Sequence, residues 1–202
     1  MRRNFALYLT VISIMISLIG CSAQPKPEVT IKEYLDVFKT GVAIDNNKYF
    51  NGSITAFDGL MTPDNTSPAE VVKAMKDIVY GFEYVVNGTT IAKDKTSAIV
   101  NVEITTVDGS SLLSNFMSQF FMNGLAMSFA GKTQVEIEKY AVELFADLSS
   151  KLEKNRIFKV DVKLIKVDKK WLMTSGEANF ALFDAMSGGM LSAGKNLENS
   201  TS

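Results

Sequence analysis

The sequence predicts an α+β fold in which two pairs of antiparallel strands are separated by a helical hairpin and preceded by helices. Three observations predict it. Apolar residues recur at helical spacing over residues 30–42 and 67–81, the period changes to 2 from Phe82 onward, and helical spacing returns over 110–154 before a second alternating segment at 158–175. Segregated runs of helix and strand, rather than a regular β-α alternation, argue against a parallel sheet.

The chain begins with Met1-Arg2-Arg3, an apolar run from Phe5, and Leu18-Ile19-Gly20-Cys21. A basic start followed by an apolar stretch of about 15 residues is a secretory signal, too short for a membrane span. The tetrapeptide resembles the lipobox of bacterial lipoproteins. That resemblance implies cleavage before Cys21, a diacylglyceryl group on its sulfur and a further acyl chain on its amine, and so a protein lipid-anchored on the extracytoplasmic face of the cell membrane. Residues 1–20 are then the signal peptide, and residues 21–29, with Pro25 and Pro27, read as a tether.

Without residues 1–20 the chain retains 19 basic against 22 acidic side chains, and Arg156 is its one arginine. An acidic balance disfavours nucleic acid, and the lack of arginine removes the usual bidentate clamp for phosphate or carboxylate. Histidine is absent and the single cysteine belongs to the anchor. Ser-His-Asp and Cys-His nucleophiles, His/Cys zinc sites and disulfides are therefore excluded. Asp45, Asp58, Asp64, Asp94 and Asp108 lie in loops without the alternating spacing of a calcium loop, so neither metal nor cofactor is expected.

Residues 30–194 read as a single domain. Thr30-Ile31-Lys32-Glu33 matches a capping box and opens the first helix, with Ile31, Tyr34, Leu35, Phe38 and Val42 on one face; Tyr49 and Phe50 extend it. Residues 51–66 read as an irregular loop pinned by Phe57, Leu60 and Met61. Ser67-Pro68-Ala69-Glu70 is a second capping box, its helix ending near Gly81. Phe82, Tyr84 and Val86 then alternate, Asn87-Gly88 offers a bend, and after the Lys93-Asp94-Lys95 turn Ala98, Val100, Val102 and Ile104 point one way along a half-buried strand.

No charge falls between Asp108 and Lys132. Leu112, Leu113, Phe116, Met117, Phe120, Phe121, Leu125 and Phe129 form a broad helical stripe, with Asn115, Gln119 and Asn123 opposite. Those amides make membrane insertion costly, so the helix is expected to be buried in the domain, or else to form a partly exposed lid or docking surface. A third capping box, Thr133-Gln134-Val135-Glu136, starts its hairpin partner. Phe158, Val160, Val162 and Leu164 alternate, the Asp168-Lys169-Lys170 turn leads into Trp171, and Phe180 to Met186 suits a short helix stopped by Gly188-Gly189. Residues 195–202 read as a flexible tail.

This order resembles the cystatin-like or nuclear transport factor 2-like cone fold of small envelope lipoproteins, carried by residues 30–50, 82–107 and 158–175 with the turn Asp168-Lys169-Lys170-Trp171. The resemblance implies a curved antiparallel sheet wrapped on the N-terminal helices around an apolar pocket. Tyr34, Tyr80, Tyr84, Tyr140 and Trp171 are candidate wall residues, and Phe120 and Phe121 candidate contacts on the uncharged helix. Asp36, Glu83, Glu103 and Asp161 fall on exposed faces, so no acid pairs with these tyrosines. The expectation is a non-catalytic module that binds an apolar ligand or protein partner, is held to membrane lipid through Cys21, and makes no use of nucleic acid. The alternatives are an isomerase- or hydratase-like enzyme using a buried carboxylate and a tyrosine, or a structural envelope protein that self-associates through its hairpin.

Overall fold

The computed structural model describes residues 26–52, 54 and 67–200. Cys21 with most of the tether, and Phe57, Leu60 and Met61, lie outside the described residues. In chain order the elements are α1 (Pro27–Lys39), a 3-10 turn (Asn46–Lys48), β1 (Phe50–Asn51), α2 (Ala69–Tyr80), β2 (Glu83–Ile91) and β3 (Ser97–Thr106). Then come α3 (Gly109–Phe129), α4 (Gln134–Ser150), β4 (Arg156–Val167), β5 (Lys170–Thr174), a 3-10 turn (Gly176–Asn179), α5 (Phe180–Met186) and α6 (Met190–Ser200). The mixture is α+β, with the helical hairpin α3–α4 inserted between the strand pairs as expected.

The sheet is curved, open and mostly antiparallel, with strand order β1-β5-β4-β3-β2; β1 alone pairs in parallel, with β5. Period-2 alternation sets its two faces. Ala98, Val100, Val102, Ile104, Val160, Val162 and Leu164 are buried on one face beneath α1 and α5. The opposite face is mixed: Asn101 lies across from Asp161 and donates to it at 2.9 Å, Glu103 lies across from Lys159, and Val85, Ile99 and Ile157 are exposed among them. The Asn87-Gly88 bend is a bulge, where the β2–β3 register shifts between Val86 and Gly88.

Two apolar cores result. The main core joins the sheet to Ile31, Tyr34, Leu35 and Phe38 of α1, Phe82, and Leu182, Phe183 and Met186 of α5. The second core is made by Ile78 of α2, Leu112 of α3, Phe145 of α4 and Met190 of α6. At the joint between them Gly188 (φ 66°) packs its backbone on Val107 and Gly109, and its carbonyl accepts from Ser110 N at 3.0 Å. A side chain at Gly188 would collide with the Val107 carbonyl and would also be strained by the positive φ.

Several expectations are corrected. α1 starts at Pro27, inside the expected tether; proline takes the first helical position without losing a hydrogen bond, and Thr30, within the helix, donates to the Trp171 carbonyl at 3.0 Å instead of capping. The helix stops at Lys39, Val42 is 65% exposed, and Tyr49 and Phe50 are buried beside the sheet rather than helical, because Phe50 and Asn51 pair with Met173 and Thr174. Pro68 rather than Ser67 holds the cap position of α2. Residues 195–200 are helical in α6, where the Asp184 carboxylate accepts from Ser192 N at 2.8 Å and Ser192 Oγ at 2.7 Å. The cap at Thr133 and the stop at Gly81 are as expected, and Asp108 adds a cap to α3 by accepting from Ser111 N.

The largest correction concerns α3. It is not buried: its fully buried residues are Gly109 and Leu112, and from Leu113 to Glu143 no residue is buried. Asn123, expected to face solvent, donates to the Tyr140 hydroxyl of α4 at 2.6 Å, whereas Phe121, Met122 and Phe129 are 68%, 69% and 88% exposed.

Candidate functional site

The concave face of the sheet is the first place to seek a pocket, and aromatic side chains fill it. Tyr34 of α1 meets Phe38, Tyr49 and Phe50 at ring-centroid distances of 5.8, 5.6 and 5.0 Å, and Phe50 stacks on Phe183 at 5.9 Å. Tyr34 is 2% exposed, and burial pushes its hydroxyl well above the usual tyrosine range. Trp171 is 5% exposed in the same core. These two expected wall residues are thus packing residues.

Tyr80 and Tyr84 lie at the margin of this core. Tyr80 packs on Phe38 at 5.5 Å, and burial raises its pKa. The Tyr84 hydroxyl donates to Asp36 Oδ1 at 2.6 Å, so the expectation that no acid pairs with a tyrosine does not hold. The pair is solvent-exposed. Partial burial, then the hydrogen bond and charge of Asp36, raise the Tyr84 pKa and keep it a donor at neutral pH. Asp36 thereby receives a structural bond between α1 and β2.

The other expected residues are on the hairpin. Phe120 stacks on Phe116 at 5.7 Å, Phe116 meets Phe145 edge-on at 5.5 Å, and Phe121 points away. The structure therefore brings together Tyr34 and Trp171, places Tyr80 and Tyr84 beside them, and leaves Phe120 and Phe121 elsewhere. No group of three or more Asp, Glu, His or Cys side chains could hold a metal among the described residues, and no described helix is long and apolar enough to cross a membrane.

No family model matches the chain, and no curated protein does. The chain is similar to a crystal structure from Bacillus subtilis described as a "putative lipoprotein (ycdA)", with a TM-score of 0.51 and 18% identity. The match covers 79% of this chain and 54% of that one, so the chain spans about half the length of that structure. At this identity the likeness is one of fold.

Within that fold, the exposed half of the hairpin is a surface whose chemistry is at odds with water. It comprises Met117, Phe121, Met122, Leu125 and Phe129 of α3 with Val135 of α4, each more than 40% exposed. Monomers seldom expose contiguous apolar surface of this kind without a use for it. Arg156, the single arginine after Arg3, fixes the base of the hairpin through Asp108, whose carboxylate also accepts from Ser110 Oγ at 2.7 Å and Ser111 N at 3.0 Å. Burial pushes the Asp108 carboxyl up, but those hydrogen bonds and the Arg156 charge outweigh it and leave the pKa lowered. A groove of about 400 Å³ between α2 and α4 contains both signs of charge, with Lys73 and Asp77 already paired at 2.6 Å.

The sequence signal for the exposed arm was the absence of charge itself. Residues missed by sequence reasoning are Asn179 and Asp184, whose bonds join segments close in sequence but across turns that local pattern does not reveal.

Proposed function

We propose that the protein is a lipid-anchored extracytoplasmic module that binds a protein partner through the exposed arm of its helical hairpin and carries out no chemistry of its own. The observation that supports this most is that a stretch without a single charge, residues 109–131, contains no buried residue beyond Leu112. Methionine and phenylalanine on an adaptable surface suit a protein partner with an apolar groove, since such side chains repack to different shapes. The aromatic packing of Tyr34, Phe50 and Phe183 beneath the sheet and the solvent exposure of the Asp36–Tyr84 pair support a binding role over acid-base work.

A photo-crosslinking residue placed at Phe121 in cells tests the reading. A discrete protein adduct is expected, lost when Phe129→Asp is added to a chain that keeps its circular dichroism. Adducts with lipid alone, or an adduct of two copies of this chain, would replace the proposal with membrane contact or self-association.

A further inference from the structure

The turns between β2 and β3 and between β4 and β5 lie at one end of the sheet, because Ile91 pairs with Ala98, Ser97 with Ile165, and Val167 with Lys170. The start of α1 lies there too, bonded through Thr30 to the Trp171 carbonyl. A groove of about 370 Å³ opens among them, lined by Lys26, Lys93, Lys95 and Lys166 with Pro27 and Trp171. No carboxylate lines it. Lys166 Nζ stands 5.6 Å from the centre of the Trp171 ring. With Lys169 and Lys170 in the adjoining turn, this end holds six lysines against Glu28, Asp94 and Asp168, in a chain whose overall balance is acidic. Of these acids, Glu28 accepts from Thr89, and Asp94 accepts from Thr96 N.

We propose that this groove seats the phosphate-bearing headgroups of anionic lipids in the membrane to which the chain is anchored. Lysine is suited to this because it acts as a compact, mobile point charge that follows a fluid headgroup layer without demanding bidentate geometry. Lys26 lies only five positions after Cys21, a reach of at most about 18 Å. The lysine end is thus the end that an anchor at Cys21 brings to the headgroups, and the assignment to membrane lipid rests on the lipoprotein reading above. Anchor and groove then set orientation together, one holding the protein on the surface and the other turning this end toward it.

The chain from Ser22 onward retains every residue of both cores and can be tested without its lipid. It is expected to float with phosphatidylcholine vesicles containing phosphatidylglycerol, not with phosphatidylcholine alone, and to be released by salt. Each of Lys93→Gln, Lys95→Gln and Lys166→Gln should weaken binding about fivefold. Lys73→Gln/Lys139→Gln, which removes charge elsewhere, should not. Equal flotation with both vesicles, no loss when Lys93→Gln, Lys95→Gln and Lys166→Gln are combined, or equal loss in the control variant would overturn the groove. Competition by glycerol phosphate at concentrations that leave the ionic strength unchanged would make a soluble phosphate compound the occupant and overturn the membrane source. The anchor is read separately: labelled fatty acid should enter the full-length chain and not its Cys21→Ser variant, so failure there leaves the flotation result standing.

Discussion

Asn179 is 1% exposed, and its amide is fully engaged: Oδ1 accepts from Lys163 N at 2.8 Å, while Nδ2 donates to the Thr174 carbonyl at 2.6 Å and the Lys163 carbonyl at 3.0 Å. It substitutes for a further strand where β4 would otherwise present unpaired backbone. Asn179→Ala should cost about 2–3 kcal/mol, because it leaves buried backbone groups without partners, and urea denaturation will measure it. Asn179→Asp is not a remedy, since a carboxylate cannot donate to the two carbonyls. At this scale the sequence showed some residues and hid others for a physical reason. Thr133 and Glu136 are legible because a cap is made within four residues, whereas Asn179 bonds to a strand sixteen residues away. Tyr34 and Trp171 were legible as apolar and aromatic, but pattern alone does not tell a pocket wall from a packed core.

The elements were legible wherever one face is buried and the other wet. β3 alternates without a fault because its inner residues meet α1 and α5 while its outer ones meet water. The hairpin was harder: an apolar stripe reports that a surface avoids water, not that the same chain covers it. α3 therefore has the composition of a buried helix and the exposure of a surface one. Its partner α4 starts with a complete capping box, in which Thr133 N donates to Glu136 Oε2 at 2.9 Å and Thr133 Oγ1 accepts from Glu136 N at 3.3 Å. Lys132 first, then Thr133, lower the Glu136 pKa from 4.5 to about 2. A lowered folded pKa gives stabilisation that is complete above the unfolded value near 4.5 and is lost as pH falls toward 2. A carboxyl-carbon NMR titration should place the Glu136 midpoint near 2, and a midpoint near 4.5 would show that the box does not persist in solution.

For the whole molecule, the two cores touch through the backbone joint at Gly188 and through Met190, two residues further on. They should therefore unfold together. The sole tryptophan, Trp171, reports on the main core, and Phe145 belongs to the second. Phe145→Ala, expected to cost about 3–5 kcal/mol, should lower the midpoint of Trp171 fluorescence as much as that of circular dichroism. Separate transitions would mean that the hairpin base is an independent unit. The hairpin leaves the sheet at the end where Thr106 pairs with Arg156, opposite the lysine-bearing turns. Gly188 gives that departure a mechanical meaning. A joint made of backbone pressed on backbone has no rotamers through which to yield, so it behaves as a fulcrum rather than a swivel. A pull applied to the tip of the hairpin would reach the sheet as torque, with the lysine-bearing end of the sheet as the ground against which it acts.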